Sequence, residues 1–154
     1  MRSGEMPSDV VVRGATAFDL PRVLALLNAS DLPTAGVAEA LRGFVVAESR
    51  DEIVGVAGVE AAGARYGLLR STAVHERWRG RGLGRELVTR VIADAKTRGD
   101  EALYLLTTTA EEYFPSFGFV RVGRDEVVDE IKATGEFASA CPASATVMML
   151  RLGT

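Results

Sequence analysis

Cysteine and histidine are nearly absent from this chain of 154 residues, which holds only Cys141 and His75. A single thiol cannot close an internal disulfide, and one thiol with one imidazole does not make a Cys/His zinc site. Metal catalysis is therefore not expected. Excess positive charge is also missing: Lys+Arg number 18 against 21 Asp+Glu, for a net charge of -3. General polyanion binding does not follow from that balance, and nucleic acid is not an expected partner. Long apolar runs are lacking too. The run over residues 53–59 is far below the roughly 18–20 residues that span a bilayer, so no membrane partner is expected. Residues 1–8 are polar, with Gly4 and Pro7, and do not read as a signal peptide. There is no internal repeat and no low-complexity tract.

The composition that is present, 47% hydrophobic and 25% charged, is that of an ordinary soluble domain. We expect a flexible tail over 1–8, a single domain over 9–154 that is large enough to bury a core, and a cytoplasmic location. Residues 10–13 read as a strand. A helix follows, with Thr16 as cap, Asp19 three residues later, and Leu20, Val23, Leu24 and Leu27 on one face. After a break at 28–35, Thr34 caps a short helix through Leu41. Strands are expected over 44–49 and 53–60, joined tightly at 50–52, and again over 66–74. A helix from Gly82 to about Arg98 carries Leu83, Leu87, Val88, Val91, Ile92 and Ala95 on one face, and Gly99 ends it. A buried strand over 102–107, a short helix over 110–116 and a strand over 119–122 follow. An acidic insertion over 125–143 has a helical turn near 127–133, and a last strand covers 144–152. This order, βααβββαβαββ, is an α+β pattern with a mixed sheet.

The densest chemistry lies in residues 68–85, LLRSTAVHERWRGRGLGR. A strand ends, Gly80, Gly82 and Gly84 alternate through a loop, and an amphipathic helix begins. Free N–H groups and the dipole at a helix start attract anions, and glycine lets a phosphate approach the backbone. Arg77, Arg79, Arg81 and Arg85 add the one dense basic patch of the chain. The pattern points to a phosphate or pyrophosphate ligand. A P-loop would need Gly-Lys-Ser/Thr, and the dinucleotide fingerprint would need G-x-G-x-x-G. Neither is present.

Arg79-Gly80-Arg81-Gly82-Leu83-Gly84 resembles the R/Q-x-x-G-x-G/A signature of the GNAT superfamily of acyl-CoA N-acyltransferases. Ala73-Val74 before it and the helix after it fit the same pattern. Residues 110–119, AEEYFPSFGF, are similar to the family's A-x-x-x-Y-x-x-x-G-F segment. The resemblance implies a mixed, mostly antiparallel central sheet flanked by helices, with splayed central strands. It implies an N-acetyltransferase that uses acetyl-CoA as cosubstrate and no metal. The acceptor would be a small amine-bearing, amino-acid-like molecule that attacks the thioester directly. Ala73 and Val74 would meet the pantetheine arm. Arg79, Gly80, Gly82, Leu83, Gly84 and Arg85 would hold the pyrophosphate.

The chain departs from the family pattern at Thr107, where asparagine is common, and at Phe114, where the family tyrosine protonates the leaving thiolate. Tyr113 is adjacent, but one helical step turns a side chain by about 100°. Tyr113 and a proton from solvent are the alternative acids. For the base, Glu60 at the end of its expected strand is preferred over His75, since a carboxylate can take the ammonium proton. Arg70 is either a clamp for an anionic group of the substrate or a partner of the acidic insertion. Leu68-Leu69-Arg70-Ser71, residues 124–127 and residues 136–145 resemble a GNAT branch encoded near arsenic-resistance genes. Cys141 alone is a poor site for arsenic. Phe114 also leaves open a second reading, a CoA-binding sensor or partner subunit that has lost catalysis. Homodimerisation is open at this stage.

Overall fold

The computed structural model describes residues 10–108, 110–140 and 145–153. The expected tail over 1–8 and Cys141 lie outside the described residues. Seven strands form one sheet: β1 (Val10–Gly14), β2 (Phe44–Ser49), β3 (Glu52–Ala62), β4 (Tyr66–Val74), β5 (Ala102–Thr107), β6 (Val120–Val122) and β7 (Thr146–Arg151). Their order is β1-β2-β3-β4-β5-β7-β6. β4 and β5 run parallel, and the other pairs are antiparallel. The α+β class, the mixed sheet and the flanking helices agree with expectation.

β2 and β3 are joined by Arg50 and Asp51, both at positive φ, 50° and 66°. Two left-handed residues give the hairpin the twist that flanking strands need, here without the usual glycine. β3 runs two residues past its expected end, so Glu60 sits within the strand and pairs with Leu68. The turn to β4 accordingly falls at 63–65.

Helix α1 (Leu20–Ala29) and the short α2 (Val37–Ala40) cover one face of the sheet. Val23, Leu26 and Leu27 of α1 pack with Val37 on Phe44, Val46, Val56 and Ala73. Helix α3 (Leu83–Arg98) covers the opposite face, burying Leu87, Val88, Val91 and Ala95 against Ala57, Val59, Leu69 and Leu103. Gly99, at φ 92°, ends it as expected. The acidic insertion forms α4 (Asp129–Lys132) and α5 (Gly135–Ala140). Val127 and Ile131 pack on Leu68, Tyr104 and Val147. The expected helix over 110–116 is instead a turn followed by a 3-10 segment, Phe114–Phe117, with Pro115 in its first turn.

The β3–β4 register slips between two pairs: Val56 faces Ala73, but Gly58 faces Arg70. β4 therefore carries one extra residue, and Ser71 takes φ 61° to accommodate it. The β4–β5 pairing runs only from Tyr66↔Ala102 to Leu69↔Leu105. Beyond the bulge, Arg70 to Val74 diverge from β5, which stays paired with β7 through Thr107. These are the splayed central strands.

A buried charge fastens the first helix. Asp19 is 1% exposed and accepts from Arg13 at 2.8 and 2.9 Å, from Arg22 at 3.0 Å and from the Thr16 N–H at 2.7 Å. The Arg13 hydrogen bonds outweigh the opposing effect of burial and hold its carboxyl well below the usual range. Such a lowered carboxylate contributes stability above its unfolded pKa near 3.8 and loses it as pH falls through the folded value. Asp19→Asn is expected to cost about 2–3 kcal/mol at neutral pH. In urea melts the gap between variant and parent should narrow below pH ~4; a pH-independent gap would contradict this account.

Candidate active site

Two neighbouring cavities lie along β4 where it leaves β5. The first, about 450 Å³, lies in the slot between these strands. Leu69, Arg70, Ser71 and Thr72 of β4 face Leu105, Leu106 and Thr107 of β5 across it, and Tyr113, Phe114, Glu136 and the stretch Asp31 to Pro33 complete the wall. Leu69 and Leu105 belong to the core under α3, whereas Glu136 comes from α5, in the insertion that covers the other face. The slot is thus walled from both faces of the sheet.

The second cavity, about 310 Å³, is lined by Val74, Trp78, Arg79, Gly80, Gly82, Leu83, Gly84, Arg85 and Tyr113. It sits at the start of α3. The Gly82 carbonyl accepts the first helical bond, from Glu86 N–H at 3.1 Å. The N–H groups of Leu83, Gly84 and Arg85 precede it and have no helical partner. Gly82, the residue before the helix, has φ 82°, a conformation costing other residues about 1–2 kcal/mol. A Cβ at Gly84 would stand 3.6 Å from Val74 and 3.8 Å from the Tyr113 hydroxyl, so glycine keeps this cradle open. Arg79 Nε donates to the Val74 carbonyl at 3.1 Å, which ties the loop back to β4. Arg85 is held over the Phe117 ring at 4.4 Å and donates to Ser116 Oγ at 2.7 Å.

The structure brings together most of the expected cofactor residues. Val74, Arg79, Gly80, Gly82, Leu83, Gly84 and Arg85 all line the loop cavity. The side chain of Leu83 is 1% exposed in the core, so its offering to the cavity is backbone. Ala73 does not join them; it packs against the α1 core instead. Among the described residues, Tyr113 is the one that borders both cavities. A 3-10 step still turns neighbouring side chains apart, by about 120°, and it is Tyr113 that borders the loop cavity while Phe114 packs in the core. Phe114 is 9% exposed and packs edge-on against Tyr113 and Phe119 at 5.2 and 5.8 Å.

Glu60 is not brought to the slot. Its Oε1 accepts from Arg70 Nη1 at 2.9 Å and its Oε2 from Gly135 N–H at 2.6 Å. It lines a separate cavity with Gly36, Arg42 and Gly135. Arg70 has no exposed side-chain surface and meets both Glu60 and Glu136, the latter at 3.2 Å through Nε. Of the two expected roles for Arg70, the structure shows the ion pair with the insertion, and Arg70 also lines the slot. His75 Nδ1 accepts from Arg77 N–H at 3.1 Å, capping the turn after β4. Glu136 was legible only as one member of an acidic stretch. No local spacing ties it to Arg70, because their contact is made by the fold. Its burial pushes the carboxyl up to about 7, against the pull of Arg70 and with the help of Glu60.

Among the described residues, no group of His, Cys, Asp and Glu could hold a metal ion, and no helix is long and apolar enough to cross a membrane. A family model described as Acetyltransferase (GNAT) domain matches residues 40–121. That is more than half of the chain, and the chain belongs to this family. No match was found among curated proteins. Among solved structures the chain is similar to N-acetylglutamate synthase from Neisseria gonorrhoeae complexed with coenzyme A and N-acetyl-glutamate. The TM-score is 0.80 at 22% identity, over 97% of this chain and 36% of that one. The chain thus spans about a third of that relative's length. It is also similar to Rv2747 from Mycobacterium tuberculosis, solved in complex with CoA, with TM-score 0.78 and 23% identity over 92% of this chain and 99% of that one. The ribosomal-protein-S18-alanine N-acetyltransferase from Escherichia coli aligns with TM-score 0.66 and 16% identity, over 94% and 95% of the two chains. At these identities the likeness is one of fold.

Proposed function

We propose that this chain transfers an acetyl group from acetyl-CoA to the amine of a small, amino-acid-like acceptor. The observation that carries the reading is the adjacency of the two cavities. An anion cradle at the start of α3 and a slot between diverging strands share Tyr113 in their walls. A pyrophosphate seated on the N–H groups of Leu83, Gly84 and Arg85 would direct a flexible arm along Val74 into that slot. The Neisseria relative's name concerns an amino-acid product, which supports an amino-acid-like acceptor here. The domain extends over residues 9–154, and its work is cytoplasmic, where acetyl-CoA is available. The segment likeness to the arsenic-linked branch concerns genomic neighbourhood and assigns no acceptor.

In this mechanism the acceptor nitrogen attacks the thioester carbonyl, the C–N bond forms and the C–S bond breaks. Tyr113 gives its proton to the departing thiolate, because its hydroxyl lies beside Gly84 at the mouth of the cradle. Glu60 and Arg70 act at one remove: their ion pair fastens the insertion over the slot through Gly135.

CoA should raise the melting temperature, by an amount equivalent to about 2.7 kcal/mol at 100 times its dissociation constant. Gly84→Val should fold, since its Cβ meets only ordinary contacts, yet lose this shift because the branched side chain fills the cradle. An undiminished shift in the variant would place the phosphates elsewhere. Thiol release from acetyl-CoA with L-glutamate, L-glutamine and glycinamide then tests turnover. CoA binding without any release would favour the sensor reading that Phe114 left open. Tyr113→Phe is expected to lower kcat by about 10²-fold or more while the KM for acetyl-CoA changes little. A loss under about threefold would mean that the thiolate leaves without this acid.

A further inference from the structure

We propose that Glu136, a residue of the insertion, is the catalytic base that receives the acceptor's ammonium group in the slot and takes its proton. This rests on the acetyl-transfer reading and assigns the group that reading lacks. Three observations carry it. Glu136 lines the slot cavity, while Glu60 does not. Its side chain is 9% exposed, and one oxygen, Oε2, meets Arg70 Nε at 3.2 Å. Among the described residues no side-chain oxygen is both fully buried and unpartnered. No described residue is shown donating to Oε1, and Glu136 lines the open volume of the slot.

The charges around it favour a cationic guest. Arg70 of β4 and Glu60 of β3 act on Glu136, and Asp31, from the loop after α1, is the other acid in the cavity wall. One buried guanidinium thus meets two carboxylates, with the exposed Asp31 also in the cavity wall. Glu60 is further occupied by the Gly135 N–H, which leaves Glu136 as the acid free to change its proton. Burial brings Glu136 to about 7, where a carboxylate is both present at neutral pH and basic enough to accept a proton.

The balance is complete without another reactant. The ammonium gives one proton to Glu136, and the neutral nitrogen attacks the thioester carbon. As the C–S bond breaks, the nitrogen's second proton goes to the thiolate by way of Tyr113. Glu136 returns its proton to solvent.

The test compares the parent with Glu136→Gln, Glu136→Asp and Glu60→Gln, all screened first for an undiminished CoA melting shift. Thiol release is followed with L-glutamate, L-glutamine and glycinamide from pH 6 to 9. The parent's kcat/KM for the amine should rise through a group titrating near 7. Glu136→Gln should lose about 10²-fold at pH 7 and progressively less toward pH 9, where free amine is more abundant. Glu136→Asp should recover part of the loss. Glu60→Gln should show no such pH-dependent recovery. A Glu136→Gln enzyme within threefold of the parent, with the same pH profile, overturns the proposal. The second measurement needs no turnover. In CoA-saturated protein, the carboxyl 13C signal that vanishes in Glu136→Gln should titrate near 7 and shift on addition of n-propylamine. A signal that titrates near 4.5, or ignores the amine, overturns the assignment. Loss of CoA binding by the parent itself would instead bring down the acetyl-transfer reading and this inference with it.

Discussion

The parting of β4 from β5 is the constraint on which the rest of the site depends. Two parallel strands would pair along their length unless something turned one of them aside. Here an extra residue in β4 does so. Ser71 accepts a left-handed backbone at φ 61°, a strain of about 1–2 kcal/mol for a residue with a Cβ. Its hydroxyl accepts from Arg70 Nε at 3.0 Å, so the bulge is tied to the charge beside it. Without the bulge the slot would be filled by sheet hydrogen bonds, and no thioester could reach an acceptor through it.

The buried Arg70 links this backbone event to the insertion. A guanidinium with no exposed surface must be matched by nearby carboxylates, or its desolvation would be very costly. Glu60 and Glu136 supply them from β3 and α5, and the Gly135 N–H completes the set. Two carboxylates on one cation leave a local excess of negative charge. The Glu136 carboxyl is raised chiefly because burial removes water from it, while Arg70 pulls it down and Glu60 pushes it up. The cluster that pins the insertion over the slot also holds Glu136 where it is buried.

At the other side of the slot the physics is local. The α3 start offers unpaired N–H groups, its glycines keep side chains out of the way, and Arg79 binds the loop to Val74. The Arg85–Phe117 contact joins α3 to the 3-10 turn that carries Tyr113. Rings at 113, 114, 117 and 119 form one edge-on cluster, so Phe114 serves as the packing floor of the turn whose neighbour presents the hydroxyl.

What the sequence determined by itself is local. Apolar periodicity located α1, α3 and the central strands, and alternating glycines with arginines located the anion cradle. These signals work because helices, strands and helix starts are made by residues a few positions apart. The sequence could not separate Glu60 from Glu136, or tell which role Arg70 takes. Glu60 reaches Gly135 across 75 residues of chain, and the raised carboxyl of Glu136 exists only where burial removes water from it. The 3-10 form of residues 114–117 was hidden for a related reason: Pro115 and the buried Phe114 hold the segment as a 3-10 turn, against the α-helix that its spacing suggests. Propensity and spacing are written along the chain, whereas desolvation and charge pairing arise only when distant residues are packed together, so the glycine-arginine loop was legible and the buried Arg70 cluster was decided by the tertiary structure.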